Sequence, residues 1–219
     1  MNIIVLGPPG AGKGTQCKTL ANKINVPHIS TGDLLRQNVT QGSALGKEAK
    51  SYMEKGALVP DTLVNQMLEQ RFMQDNVKDG FILDGYPRNL SQAKSLDTML
   101  AKAKVPISVV FYLDSSVPVI VTRLTGRRVC KSCGANFHVK NMPPKINGVC
   151  DHCKGELYQR TDDKVDTIKN RLKVYRNEVS SLIDFYTQQH KLTRVPADDE
   201  AEVVLNKIIA LLKNDPLKV

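Results

Sequence analysis

A chain of 219 residues can enclose one α/β core and a small inserted module. Its apolar share of 41% and charged share of 24% are ordinary for a globular protein and exclude a disordered or fibrous polymer. The 31 Lys and Arg against 22 Asp and Glu, a net charge of +9, leave two classes of partner open: an anionic small molecule or a nucleic acid.

The chain begins with a β-branched apolar run at residues 2–6 (NIIVL), which predicts a strand. That run is too short for a signal-peptide core or a membrane span, and no other stretch reaches spanning length, so the cytoplasm is the expected location, without a membrane partner. The strand runs directly into GPPGAGKGT (7–15). Gly7, Gly12 and Lys13 fit the phosphate-binding pattern of two glycines four residues apart followed by lysine. The next position holds Gly14 where a magnesium-binding Ser or Thr is expected, and the hydroxyl arrives one place late, at Thr15. From Lys13 onward Cys17, Leu20, Ala21 and Ile24 fall at helical spacing, completing the strand, loop and helix that a P-loop requires.

A second strand is expected at residues 27–29, ending at Ser30-Thr31-Gly32-Asp33. Residues 33–74 read as helices broken at Gly42 and at 56–60. Phe81-Ile82-Leu83 is a third strand, stopped by Asp84-Gly85; residues 107–114 (ISVVFYLD) and 191–195 (KLTRV) are the fourth and fifth. Nearly continuous apolar strands indicate a sheet covered on both faces. Between the last two strands lies an insert, residues 126–163, rich in Cys, Gly, Lys and Pro. After it Val165, Ile168, Leu172, Tyr175, Val179, Leu182 and Tyr186 step by three and four along a long amphipathic helix, and a last helix covers about residues 200–213. The expected fold is α/β: a doubly wound, five-stranded parallel sheet with helices on both faces, carrying one separate module.

In a reducing compartment the five cysteines are not expected to form disulfides. Cys130-x2-Cys133 and Cys150-x2-Cys153 have the spacing of a four-cysteine zinc site. Four sulfurs close the tetrahedron, so the ion is expected to be structural, stabilising a module too small for a core of its own. His138 and His152 are then not needed as ligands, and Cys17 is read as a small buried apolar residue. Aromatic residues are sparse around the module's lysines, only Phe137 and Tyr158, so nucleic acid is not the expected partner.

The arginines are placed more tellingly. Arg36 follows STGD, Arg88 follows Asp84, Arg123, Arg127 and Arg128 precede the first zinc cysteine, Arg160 ends the insert and Arg171 lies early in the long helix. Guanidinium forks converging on the carboxyl edge of a P-loop sheet fit a polyphosphate. No general base stands out, and His28 is read as structural. An already ionised phosphate acceptor needs no base; it needs cancellation of anionic repulsion. The residues point to a kinase acting on a phosphate.

Over essentially its whole length the chain resembles the adenylate kinases of the long-lid, zinc-containing bacterial type. The resemblance rests on GPPGAGKGT (7–15), PHISTGDLLR (27–36), KGALVPD (55–61), FILDGYPRNLSQ (81–92), RLTGRR (123–128), the four cysteines and YQRTDD (158–163). It implies reversible phosphoryl transfer from Mg-ATP to AMP, giving two ADP; nothing in the sequence demands assembly, so a monomer is expected. It implies that Gly10, Ala11, Gly12, Lys13, Gly14 and Thr15 cradle the ATP phosphates, with Arg123, Arg127, Asn136, Phe137 and a backbone carbonyl near Asp199 completing that side. Thr31, Arg36, Ala57, Leu58, Val59, Gly85, Tyr86, Pro87, Arg88 and Gln92 then form the AMP pocket, with the Gln92 amide reading the adenine edge. Arg160 and Arg171 bridge both phosphate chains, and Asp84 holds magnesium through water, the loop itself offering no hydroxyl at Gly14. The implied division is a core (1–29, 60–125 and 164–219), an AMP-binding arm (30–59) and a zinc-binding lid (126–163), with Gly32, Gly42, Gly56 and Gly126 at hinges or turns and Asp162 and Asp163 supporting lid closure. Gln92 favours AMP over UMP, CMP or GMP as acceptor; GTP stays open as donor.

Overall fold

The computed structural model describes residues 1–73, 77 and 79–213. Residue 74 of the expected helical stretch and residues 214–219 of the expected core segment lie outside the described residues.

Five parallel strands form the central sheet: β1 (Asn2–Leu6), β2 (His28–Ser30), β3 (Phe81–Asp84), β4 (Val109–Asp114) and β8 (Leu192–Pro196), in the order β2-β3-β1-β4-β8. Each lies within two residues of its expected place. Alternation across the pleat explains why the three central strands, β3, β1 and β4, are apolar over most of their length. Ile4 and Leu6 of β1, Phe81 and Leu83 of β3, and Val110 and Tyr112 of β4 enter one buried layer; Ile3, Val5, Ile82, Val109, Phe111 and Leu113 enter the other.

The second layer is closed by α1 (Lys13–Ile24) and α8 (Ala201–Lys213), through Cys17, Leu20, Val204, Leu205 and Ile208. The first is closed by α4 (Asp61–Phe72), α5 (Leu90–Ala103) and α7 (Val165–Gln188), through residues such as Val64, Leu68, Leu96, Leu100, Leu182 and Tyr186. The helices are thus on both faces, as expected. α2 (Thr31–Gln41) and α3 (Ala44–Lys55) stop at Gly42 and Gly56, the two breaks legible in the sequence. α5 and α6 (Val117–Gly126) have no counterpart among the segments assigned above, although Asn89 and Ser116 stand at their N-caps.

The insert folds as a second sheet of three antiparallel strands, β5 (Arg127–Cys130), β6 (Asn136–His138) and β7 (Leu157–Tyr158), in the order β6-β5-β7. Its buried apolar cluster holds five residues: Cys130, Ala135, Phe137, Cys150 and Leu157. His138 ties the strands to α6. Its Nδ1 accepts from the Lys140 and Asn141 amides at 3.1 and 3.0 Å, and its Nε2 lies 3.2 Å from the Thr122 carbonyl, packed against Gly126.

Candidate active site

The site lies along the carboxyl ends of the strands, where an open α/β sheet leaves a crevice. The P-loop joins β1 to α1, whose N-cap, Gly12, has φ 94 and contributes no side-chain cap, so the first amides of the helix face the loop. Lys13 Nζ donates to the carbonyls of Gly7 and Pro8 at 2.7 and 2.9 Å. Burial pulls its ammonium pKa down to about 8; Asp84 opposes this, and the charges of Arg88 and Arg171 add to it. Asp84 ends β3, in register with Val5 and Ser30, and is 7% exposed. A Cβ on Gly14 would sit 3.3 Å from Asp84 Oδ2, so the missing side chain at that position brings loop and carboxylate together.

A cleft of about 980 Å³, open to solvent, gathers much of what the sequence singled out: Lys13, Arg36, Ala57, Leu58, Val59, Gly85, Pro87, Arg88, Asp162 and Arg171 line it. A smaller recess adjoins it, bounded by Thr31, Leu58, Val59, Gly85, Tyr86, Arg88 and Gln92. Tyr86 is fully buried, its hydroxyl donating to Asn65 Oδ1 at 2.6 Å, so it forms the recess wall. The Thr31 hydroxyl donates to the Gly85 carbonyl at 3.0 Å, fastening α2 to the end of β3. Gln92 is oriented from two sides: Oε1 accepts from the Arg88 amide at 2.7 Å and Nε2 donates to Asp61 Oδ1 at 2.7 Å. One Nε2 hydrogen and one Oε1 lone pair remain for a base edge. Asn89 holds Asp61 and caps α5, and so supports Gln92 indirectly.

Arg36, Arg88 and Arg171, which line the cleft, and Arg127, which does not, are each held by an oxygen, whereas Arg160, also outside the lining, keeps a buried Nε without a hydrogen-bond partner. Asp33 accepts from Arg36 and lies 3.8 Å from Arg160; Asp163, fully buried, takes Arg127 in a two-point bond at 2.8 and 2.6 Å; Arg171 donates to Asp162 Oδ2 at 2.9 Å; Arg88 Nε donates to the Gly85 carbonyl at 2.8 Å. Burial and neighbouring guanidinium charges together lower the pKa of Arg88 and Arg160, a crowding of positive charge that an anion relieves. Arg123 reaches across to the loop after β8, donating to the carbonyls of Ala197 and Asp199 at 2.7 and 2.6 Å. The structure thus brings Arg123 and the Asp199 backbone together.

Three further residues expected on the ATP side, Phe137, Asn136 and Thr15, lie away from the residues lining this cleft. Phe137 is 5% exposed inside the cluster of the small sheet, its ring 6.0 Å from that of His152. Asn136 Oδ1 is buried without a hydrogen-bond partner. Thr15 is exposed in the first turn of α1. Sequence reasoning did not single out Asp33 or Asp61. The signal for Asp33 was its place three residues before Arg36 on one helix; nothing local marks Asp61, whose role depends on α4 packing beside α5.

The four cysteines converge. Cys130 Sγ lies 3.4 Å from Cys153 Sγ, and Cys133 Sγ lies 3.6 Å from Cys150 Sγ. All four sulfurs are within 4.8 Å of one another. A tetrahedral ion with bonds of about 2.3 Å needs sulfurs about 3.8 Å apart, so the set fits zinc. The two turns are near copies. Cys130 and Cys150 each donate their amide five residues on, to the carbonyls of Ala135 and Gly155, and Gly134 and Lys154 occupy matching left-handed positions at φ 68 and 62.

The family model described as Adenylate kinase matches residues 5–191. The chain is 47% identical to an adenylate kinase of Clostridioides difficile over 97% of this chain and 98% of that protein. It is 49% identical to adenylate kinases of Thermodesulfovibrio yellowstonii and Syntrophobacter fumaroxidans, over 97% of this chain and 99% and 100% of theirs. With the P-loop, the arginine-lined cleft and these matches spanning nearly every residue, the chain belongs to the adenylate kinase family.

Proposed function

We infer that this protein catalyses reversible transfer of the terminal phosphoryl group of Mg-ATP to AMP, giving two ADP and balancing the adenine nucleotide pool. One observation carries the reading. Lys13, Arg36, Arg88 and Arg171 share one cleft, and that cleft adjoins a recess bearing an oriented Gln92 amide. Two polyphosphate anions repel; a lysine and a ring of guanidiniums held in advance cancel that repulsion and stabilise the charge on the transferring group.

In this reading the P-loop residues Gly10–Thr15, with Arg123, Arg127 and the backbone at Asp199, take ATP. Thr31, Arg36, Ala57–Val59, Gly85–Arg88 and Gln92 take AMP. Arg160 and Arg171 span both. Magnesium, carried in on the nucleotide, neutralises phosphate oxygens, and Asp84 is the carboxylate placed to orient its water. The four cysteines hold a structural zinc that keeps residues 126–163 rigid, so that this lid and the arm at 30–59 move as bodies about the core and close only over both substrates, excluding water. The buried Phe137 supports rigidity of the lid in place of direct nucleotide contact. The protein is read as a cytoplasmic monomer.

The test is diphosphate formation from Mg-ATP or Mg-GTP with AMP, UMP, CMP and GMP in turn. ADP formation confined to AMP is expected; activity with pyrimidine acceptors alone overturns the assignment. Lys13→Ala should lower turnover by about 10³-fold or more with the melting temperature little changed.

A further inference from the structure

Beneath the P-loop a second set of metal-ligating groups stands apart from the lid cysteines. Cys17 Sγ on α1, a nitrogen of His28 on β2 and a carboxylate oxygen of Asp84 on β3 lie within 4.8 Å of one another. His28 Nε2 is 3.4 Å from Asp84 Oδ2, yet it is buried and makes no hydrogen bond. A tetrahedral ion bound at about 2.0 Å by nitrogen and oxygen sets those two atoms about 3.3 Å apart. The 3.4 Å separation matches that spacing.

The three elements hold the ligands independently of any ion. Cys17 is fully buried as a member of the apolar layer that also holds Ile3, Val5 and Leu20. Asp84 is fixed by the β3 register with both β1 and β2, and His28 by its place opposite Ile82. The His28 side chain keeps 18% of its surface exposed, which leaves an approach from solvent.

We propose that Cys17, His28 and Asp84 form a site for a soft divalent cation such as Zn²⁺ that competes with the magnesium nucleotide for Asp84 and so restrains the kinase. Thiolate and imidazole favour Zn²⁺ and Co²⁺, whereas Mg²⁺ requires an oxygen shell. Three protein ligands leave a fourth position for water or a phosphate oxygen. A cation that takes the Cys17 sulfur as thiolate releases its proton to solvent. Once bound, the ion draws Asp84 away from Lys13, whose charge that carboxylate supports. The lid cysteines play no part in this restraint.

The restraint rests on the kinase reading, but the site does not, and the two are tested separately. Nucleotide-free protein with its lid zinc is dialysed against buffered micromolar Zn²⁺, and bound zinc is counted. Two ions per chain are expected for the natural protein and one for Cys17→Ala or His28→Gln, with unchanged melting temperature as the check on folding. Equal counts in all three proteins overturn the site whatever the kinase assay shows. In that assay, at saturating Mg-ATP and AMP, the same Zn²⁺ should lower ADP formation several-fold in the natural protein and leave Cys17→Ala largely unaffected. Two bound ions with equal inhibition of both proteins overturn the restraint.

Discussion

The central sheet and the small sheet of residues 126–163 solve the same problem by different means. The central sheet buries apolar side chains on both faces, and two large clusters meet across it. The small sheet has a five-residue cluster in which two members are cysteines. Burial at about 25 cal/mol per Å² sustains the first and cannot sustain the second, which needs a cross-link or an ion. The difference teaches where stability can be lost without losing the molecule. A module with so small an apolar cluster of its own has to draw its order from within.

The largest effect expected of this contrast follows loss of the ion that the four cysteines are proposed to hold. Structural zinc contributes about 10–16 kcal/mol of binding free energy in small modules. Chelation, or Cys150→Ser, should abolish amide protection across β5, β6 and β7 while β1, β3 and β4 stay protected, as read by hydrogen exchange. Unchanged protection in the small sheet would break the comparison. The converse experiment is Leu83→Ala, which opens a cavity at a fully buried position of β3. It should cost about 2–5 kcal/mol of global stability in denaturant unfolding while the zinc content stays at its natural level.

The smallest expected effect concerns acid. Burial alone would raise the Asp162 pKa, but Arg171, Arg36, Arg127 and Arg160 outweigh it and hold this carboxyl below its usual range. Because the folded value lies under the unfolded one of about 3.9, the contribution is complete above that pH and is lost as pH falls through the folded value. Asp162→Asn should therefore lower stability by about 1 kcal/mol at about pH 7, and the gap should close below about pH 4. A gap that persists in acid would assign the effect to packing.

Much of this was legible in the residues. The three central strands could be read because strands covered on both faces are written as nearly unbroken apolar runs, and the cysteine site because its spacing is dictated by coordination geometry. The P-loop lysine and the arginines stood out through chemistry and position. What was not legible depends on elements meeting across the fold. Asp61 orients Gln92 only because α4 lies beside α5, and Phe137 is enclosed only once three short strands close around it. His28 reads as an unremarkable strand residue until β3 sets Asp84 against it.

The pairing of Arg36 and Arg160 with Asp33, of Arg127 with Asp163 and of Arg171 with Asp162 has one more consequence. The carboxylates are anions already seated among the guanidiniums, and an arriving phosphate must compete with them. A lone small anion, singly attached, cannot displace several such partners together; a nucleotide anchored by its base and its phosphate chain can. Acids seated this way would favour a ligand that engages several arginines at once over a lone small anion.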